Sequence, residues 1–200
     1  PAGNLRSAAL LAAPSIVSVD AQITGRLHDA SGGQEKTYDL GFGGTGFFAS
    51  SDGYVVTAAH VAAPGDEQVH IDFVDQRIDE EHHCTRTSTE SCRTVEGQYE
   101  PDLLLTTTVQ NVHVTVYVQT QDMSPDNVGL HAVVAASSPS GTKDVAVLKV
   151  DMHDAPVLIV GPSLATIDTP VAVEGYPESK QDAPDPLIPT VTAGRVTDTR

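Results

Sequence analysis

Gly44-Thr45-Gly46-Phe47-Phe48 and Tyr54-Val55-Val56-Thr57 read as two strands, joined by a tight turn at Ser51-Asp52-Gly53. Asp-Gly between apolar runs is a strong hairpin signal, because glycine reaches the positive φ such turns need. The second strand runs straight into Ala58-Ala59-His60-Val61. Two consecutive alanines let the backbone pack closely behind an imidazole. This hairpin commits its part of the chain to antiparallel pairing and places one histidine at a strand end.

Strand signals dominate elsewhere. Residues 16–23 alternate, with Val17, Val19 and Ala21 set against Ile16, Ser18 and Asp20. Strands are expected over 37–49 and 54–57, then over 69–74, 109–120, 130–136, 145–150, 157–160 and 171–175. Helical periodicity is confined to residues 5–13 and a turn after His60. Many short strands separated by turn residues indicate an all-β barrel or sandwich. Trp is absent and aromatics make up 4% of the chain, so the core should consist of Val, Ala, Leu and Ile.

The stretch from Gly44 to Val61 resembles the histidine motif of trypsin-like serine proteases, and its wording leans toward the bacterial high-temperature-requirement type. Lys143-Asp144-Val145-Ala146-Val147-Leu148-Lys149-Val150 is similar to the segment around that family's catalytic aspartate. His before Asp suits the trypsin-like order, whereas α/β-hydrolases place His last. Pro170-Val171-Ala172-Val173-Glu174-Gly175-Tyr176-Pro177 and Thr190-Val191-Thr192-Ala193-Gly194-Arg195-Val196 resemble the opening strands of the family's second barrel. The resemblance implies a double β-barrel. Residues 1–165 would hold the first barrel, with an insertion near 75–129, and residues 166–200 would begin the second. It implies that His60 is the general base of a Ser-His-Asp triad and Asp144 its orienting carboxylate. Polypeptide substrates follow, with no cofactor, at an extracytoplasmic location.

The family's Gly-Asn/Asp-Ser-Gly-Gly nucleophile motif does not occur in these 200 residues. Ser31-Gly32-Gly33 precedes the histidine in a polar turn, and Ser163 lacks the following glycines. The nucleophile and oxyanion hole are therefore expected downstream of Arg200, and this stretch alone is expected to be inactive. Ser15-Ile16-Val17-Ser18 lacks the glycines of a trypsin-type activation cut. Two other classes remain in view: a protease-like binding module without catalysis, and a metal-binding β-domain organised around the insertion.

Eleven basic against 27 acidic residues give a formal charge of −16. Such a surface repels nucleic acid and anionic membranes, so neither is an expected partner. No apolar run approaches the ~20 residues of a membrane-spanning helix. His60 and Asp144 lie 84 positions apart, more than a simple hairpin connection requires. The intervening insertion is expected to be an extended β-hairpin or loop. Cys84 and Cys92, with seven residues between them, flank its Ser/Thr-rich polar part. They suit a disulfide in an oxidising compartment, or else stand as two free thiols. Adjacent His82 and His83 with this cysteine spacing fit tetrahedral zinc poorly. His113 and His131, on expected strands, read as packed or surface histidines.

Overall fold

The structure is a computed structural model that describes residues 2–82, 89–124, 127–138, 143–161, 166–176 and 189–197. Helix α1 (Ala2–Ala12) and a single 3-10 turn (Ala13–Ser15) precede β1 (Ile16–Asp29) and β2 (Gln34–Phe48). Then come β3 (Tyr54–Thr57), α2 (Ala59–Ala62), α3 (Asp66–Glu81) and α4 (Thr89–Thr106). The remaining elements are β4 (Thr107–Thr120), β5 (Leu130–Ser137), β6 (Ala146–Val150), β7 (Pro170–Gly175) and β8 (Thr190–Arg195). Six strands close a barrel in the order β1-β2-β3-β6-β5-β4, and β7 pairs with β8 in a separate two-stranded sheet. The chain divides into two compact units. One comprises Pro1–Ala21, Phe42–Ala63 and Val116–Arg200; the other comprises Gln22–Gly41 and Pro64–Thr115.

The first unit has the aliphatic core that the composition implies. Val17, Val19, Val55, Val118 and Leu148 are at most 0% exposed, and Phe48 is its one fully buried aromatic among the described residues. Strand alternation explains the pattern: Val17, Val19 and Ala21 share one face of β1. The hairpin forms as expected, with Gly46 opposite Thr57 and Phe48 opposite Val55. Gly53, at φ 89°, closes its turn. A Cβ there would stand 2.6 Å from the Val150 carbonyl oxygen, so only glycine fits.

The second unit corrects the expectation of an extended β-hairpin. Residues 69–74 are helical, within α3, and α4 follows before β4 begins. Val69, Ile71 and Phe73 alternate in sequence, which imitates a strand. Over the full 16 residues, the buried set is Val69, Phe73, Val74 and Ile78, the stripe of one helix face. Asp66 and Glu67 in the first turn favour the helix dipole. The Phe73 ring lies against Gly25, where a Cβ would meet Phe73 Cε2 at 2.7 Å. Tyr38 packs on the same ring at 5.8 Å between centroids. Arg77 donates to Asp29 (3.0 Å) and to Glu81 (2.8 Å), joining α3 to the end of β1. The His70 Nε2–Thr107 Oγ1 bond (2.8 Å) ties α3 to the start of β4. Residues 157–160 form no strand either. Ile159 and Val160 are exposed there, and Leu158 N–H donates to Phe48 O.

Helix and strand assign different faces to Ile71, which gives a direct test. Phe73→Ala should cost about 3–5 kcal/mol, the usual range for a large buried aromatic. Ile71→Ala should cost less than about 1.5 kcal/mol, because its side chain is only partly buried. Denaturant melts of the two variants decide it. Equal losses would restore the strand.

Candidate active site

Strand β3 delivers the chain to the site. Its last residue, Thr57, donates its hydroxyl to the Thr45 carbonyl (3.0 Å). Ala58 is still extended, at φ −73° and ψ 140°, and the chain then turns into α2. Ala59, Val61 and Ala62 are buried, which leaves His60 on the outward side of the turn. The seat of α2 is made by Gly44, where a Cβ would stand 2.7 Å from Val61 Cγ2. Small residues at 44, 58 and 59 thus let α2 lie close to the barrel wall.

Strand β6 delivers Asp144. Thr57 pairs with Ala146, and Tyr54 with Lys149. Continued two residues beyond β3, this antiparallel register sets Asp144 across from Ala59, beside His60. The carboxylate makes two contacts there. Asp144 Oδ2 lies 2.6 Å from His60 Nδ1, and Oδ1 accepts the His60 backbone N–H at 2.9 Å. The second contact satisfies a first-turn N–H that α2 cannot pair internally. A hydrogen bond from the His60 backbone first, and from its ring next, holds the Asp144 carboxyl below its ordinary range. Both side chains are open to solvent, His60 at 66% and Asp144 at 55%.

Chemically, an ionised carboxylate at Nδ1 fixes the imidazole tautomer. Nδ1 carries the proton and donates it to Asp144, so Nε2 is left as the free base. The structure therefore brings together the two residues that the sequence singles out.

The other sequence candidates lie elsewhere. Cys84 and His83 fall outside the described residues, and Cys92 belongs to α4. His82 stacks on Tyr99, with ring centroids 4.7 Å apart. His131 meets Tyr117 edge-on at 6.1 Å. Among the described residues, no group of three His, Cys, Asp or Glu side chains is arranged to hold a metal ion. Ser31 sits in the β1–β2 turn, where its hydroxyl and its N–H both donate to Asp29 Oδ1. Ser163 lies outside the described residues.

Sequence reasoning misses one contact beside the site. Tyr176 N–H donates to Thr45 Oγ1 (2.8 Å), and the same hydroxyl donates to Tyr176 O (3.4 Å). Gly-Thr-Gly and Gly-Tyr-Pro are both visible as motifs, but no local pattern links residues 131 positions apart. Burial first, then the Glu174 and Asp122 carboxylates, push the Tyr176 phenol up to about 12, so it stays neutral.

The Asp144 contacts have a pH signature. Its folded pKa lies below the ordinary 3.8, so the stabilisation it gives is complete above that value. It is lost as pH falls through the folded value. NMR should find the His60 ring protonated at Nδ1 in its neutral form. The His60 amide shift should hold steady from pH 7 to 5 with respect to Asp144, and change only in the acid range. A neutral ring protonated at Nε2 would refute the geometry.

Comparison with known proteins bears on the family and the fold. The sequence model of the trypsin-like peptidase domain matches residues 44–200. Among solved structures, the fold resembles a serine endoprotease from Yersinia pestis, at 19% identity and a TM-score of 0.50. The likeness covers 98% of this chain and 44% of that one, so the chain spans less than half the length of that protein. At this identity it speaks for the fold alone. No curated protein matches. With most of its length matched, from the Gly44 strand through His60 and Asp144 to the β7–β8 hairpin, the chain belongs to the trypsin-like peptidase family.

Proposed function

We propose that this chain is the N-terminal part of a serine endopeptidase of the high-temperature-requirement type, with His60 as general base and Asp144 as the carboxylate that orients it. The observation that carries this reading is the double contact of Asp144, with both the ring Nδ1 and the backbone N–H of His60. One oxygen sets the position of the histidine backbone and the other sets the ring. A surface ion pair has no need of both.

The steps follow from the tautomer. His60 Nε2 takes the proton of a serine hydroxyl as its oxygen attacks the scissile carbonyl. The imidazolium so formed is stabilised by the Asp144 carboxylate, and it then gives the proton to the leaving amine. Water repeats the sequence to release the acyl group. No cofactor takes part. The serine belongs to a Gly-x-Ser-Gly-Gly segment outside residues 1–200, since none occurs within them. Residues 1–165 make the first barrel with its insertion, and residues 166–200 open the second. Polypeptides are the substrates, and the protein works outside the cytoplasm.

The test uses the full-length protein. A fluorophosphonate probe should label one serine outside residues 1–200. His60→Ala should abolish labelling and turnover, and Asp144→Asn should lower kcat by about 10⁴-fold, because the amide leaves the imidazole in the wrong tautomer. Labelling at Ser31, or full activity of Asp144→Asn, would overturn the assignment.

An oxidising location carries a further expectation for the cysteines. Cys84 and Cys92 should form an intramolecular disulfide, contributing about 2–3 kcal/mol for so short a loop by chain entropy. Mass spectrometry of unreduced, alkylated protein should find neither cysteine modified. Two alkylated thiols would exclude the bond.

A further inference from the structure

We infer that Thr45 is a positioning residue of the peptidase, locking the end of β7 to the barrel strand β2, which packs against the turn that carries His60. The inference rests on the protease reading above. Thr45 has one hydroxyl and uses it twice on one residue: it accepts from Tyr176 N–H at 2.8 Å and donates to Tyr176 O at 3.4 Å. A hydroxyl is both donor and acceptor, so it engages a backbone residue as a neighbouring strand would. The approach is close because residue 175 is glycine. A Cβ on Gly175 would stand 2.7 Å from Thr45 Oγ1.

The backbone of Thr45 reaches the strand that leads to His60. Its carbonyl accepts the Thr57 hydroxyl at 3.0 Å, three residues before His60. Its neighbour Gly44 seats Val61, directly after His60. Residues 44 and 45 therefore hold the α2 turn through one set of contacts and the end of β7 through another. β7 itself pairs with β8 alone among the described strands, Gly175 opposite Thr190. The Thr45 hydroxyl is thus a side-chain tie from the barrel strand β2 to that sheet.

The consequence lies in catalysis. A general base must come within ~2.6–3.2 Å of the hydroxyl it deprotonates. A misplacement of about 1 Å can cost about 10²-fold in rate. If the segment following β8 supplies the nucleophile, the Thr45–Tyr176 tie fixes its distance from His60 Nε2. Thr45 touches neither substrate nor reacting atoms; it acts through Tyr176 and Thr57.

Thr45→Val keeps the shape and removes the hydroxyl, and Thr45→Ser keeps the hydroxyl. In the full-length protein, Thr45→Val should raise hydrogen exchange at the Tyr176 amide at least tenfold, and Thr45→Ser should leave it protected. On a chromogenic peptide, Thr45→Val should lower kcat by roughly 10–100-fold with KM within about threefold, and Thr45→Ser should recover most of the loss. Unchanged Tyr176 exchange in Thr45→Val would overturn the tie. Loosened exchange with unchanged kcat would overturn the positioning role. A wild-type protein that cleaves no peptide would instead sink the protease reading, and with it the catalytic role, while amide exchange would still decide the contact.

Discussion

The register between β3 and β6 is the constraint on which the site depends. Thr57 opposite Ala146 is a backbone relation, set by hydrogen bonds along the ladder. A slip of one residue would turn every side chain of one strand to the other face. Val55 and Leu148 are both fully buried and stand opposite each other, so a slip would expose the core. The apolar core therefore selects the register, and the register sets Asp144 beside His60. The separation of 84 residues between them matters little once the strands have paired.

Asp144 then converts pairing into chemistry. Its Oδ1 supplies an acceptor for the first turn of α2, a role usually filled by the side chain of an adjacent N-cap residue. Ala58, the residue at that position, makes no such bond. The turn lacks a local cap and takes one from β6. The same carboxylate that completes the helix start fixes the ring at Nδ1. Folding and tautomer control thus share one group, and replacing it disturbs both.

These relations explain what was legible in the sequence. The Gly44–Thr57 hairpin could be read because glycine, Asp-Gly and alternating valines each enforce one backbone choice. His60 and Asp144 stood out because each lies at the end of a strand signal, in a stretch that resembles one of the family's motifs. The helices α3 and α4 were hidden. A window from Val69 to Val74 is too short to separate a period of two from one of 3.6. Helix α4 carries Gly97 and Pro101, residues that argue against a helix. Only tertiary packing, in which Phe73 fills the space above Gly25, decides the outcome for α3. The Thr45–Tyr176 contact leaves no local trace, since nothing near either residue reports on the other.

The two units also differ in what holds them. The first relies on aliphatic burial, and the contact of His60 with Asp144 within it is open to solvent. The second adds polar anchors to a smaller apolar set. Asp29 is buried, takes the Ser31 hydroxyl and pairs with Arg77; these contacts hold its carboxyl well below the usual carboxylate range. A depressed carboxylate stabilises the fold above its unfolded pKa and stops doing so only as pH falls through the folded value. His70 behaves in the opposite sense. Burial lowers its pKa, so its neutral form is favoured in the fold, and stability declines as pH falls below 6.5, the value of an unburied imidazole. Within the second unit, acid therefore acts through His70 at milder pH than through Asp29. The residues of the candidate site all belong to the first unit, so mild acid weakens the second unit through a group outside that site.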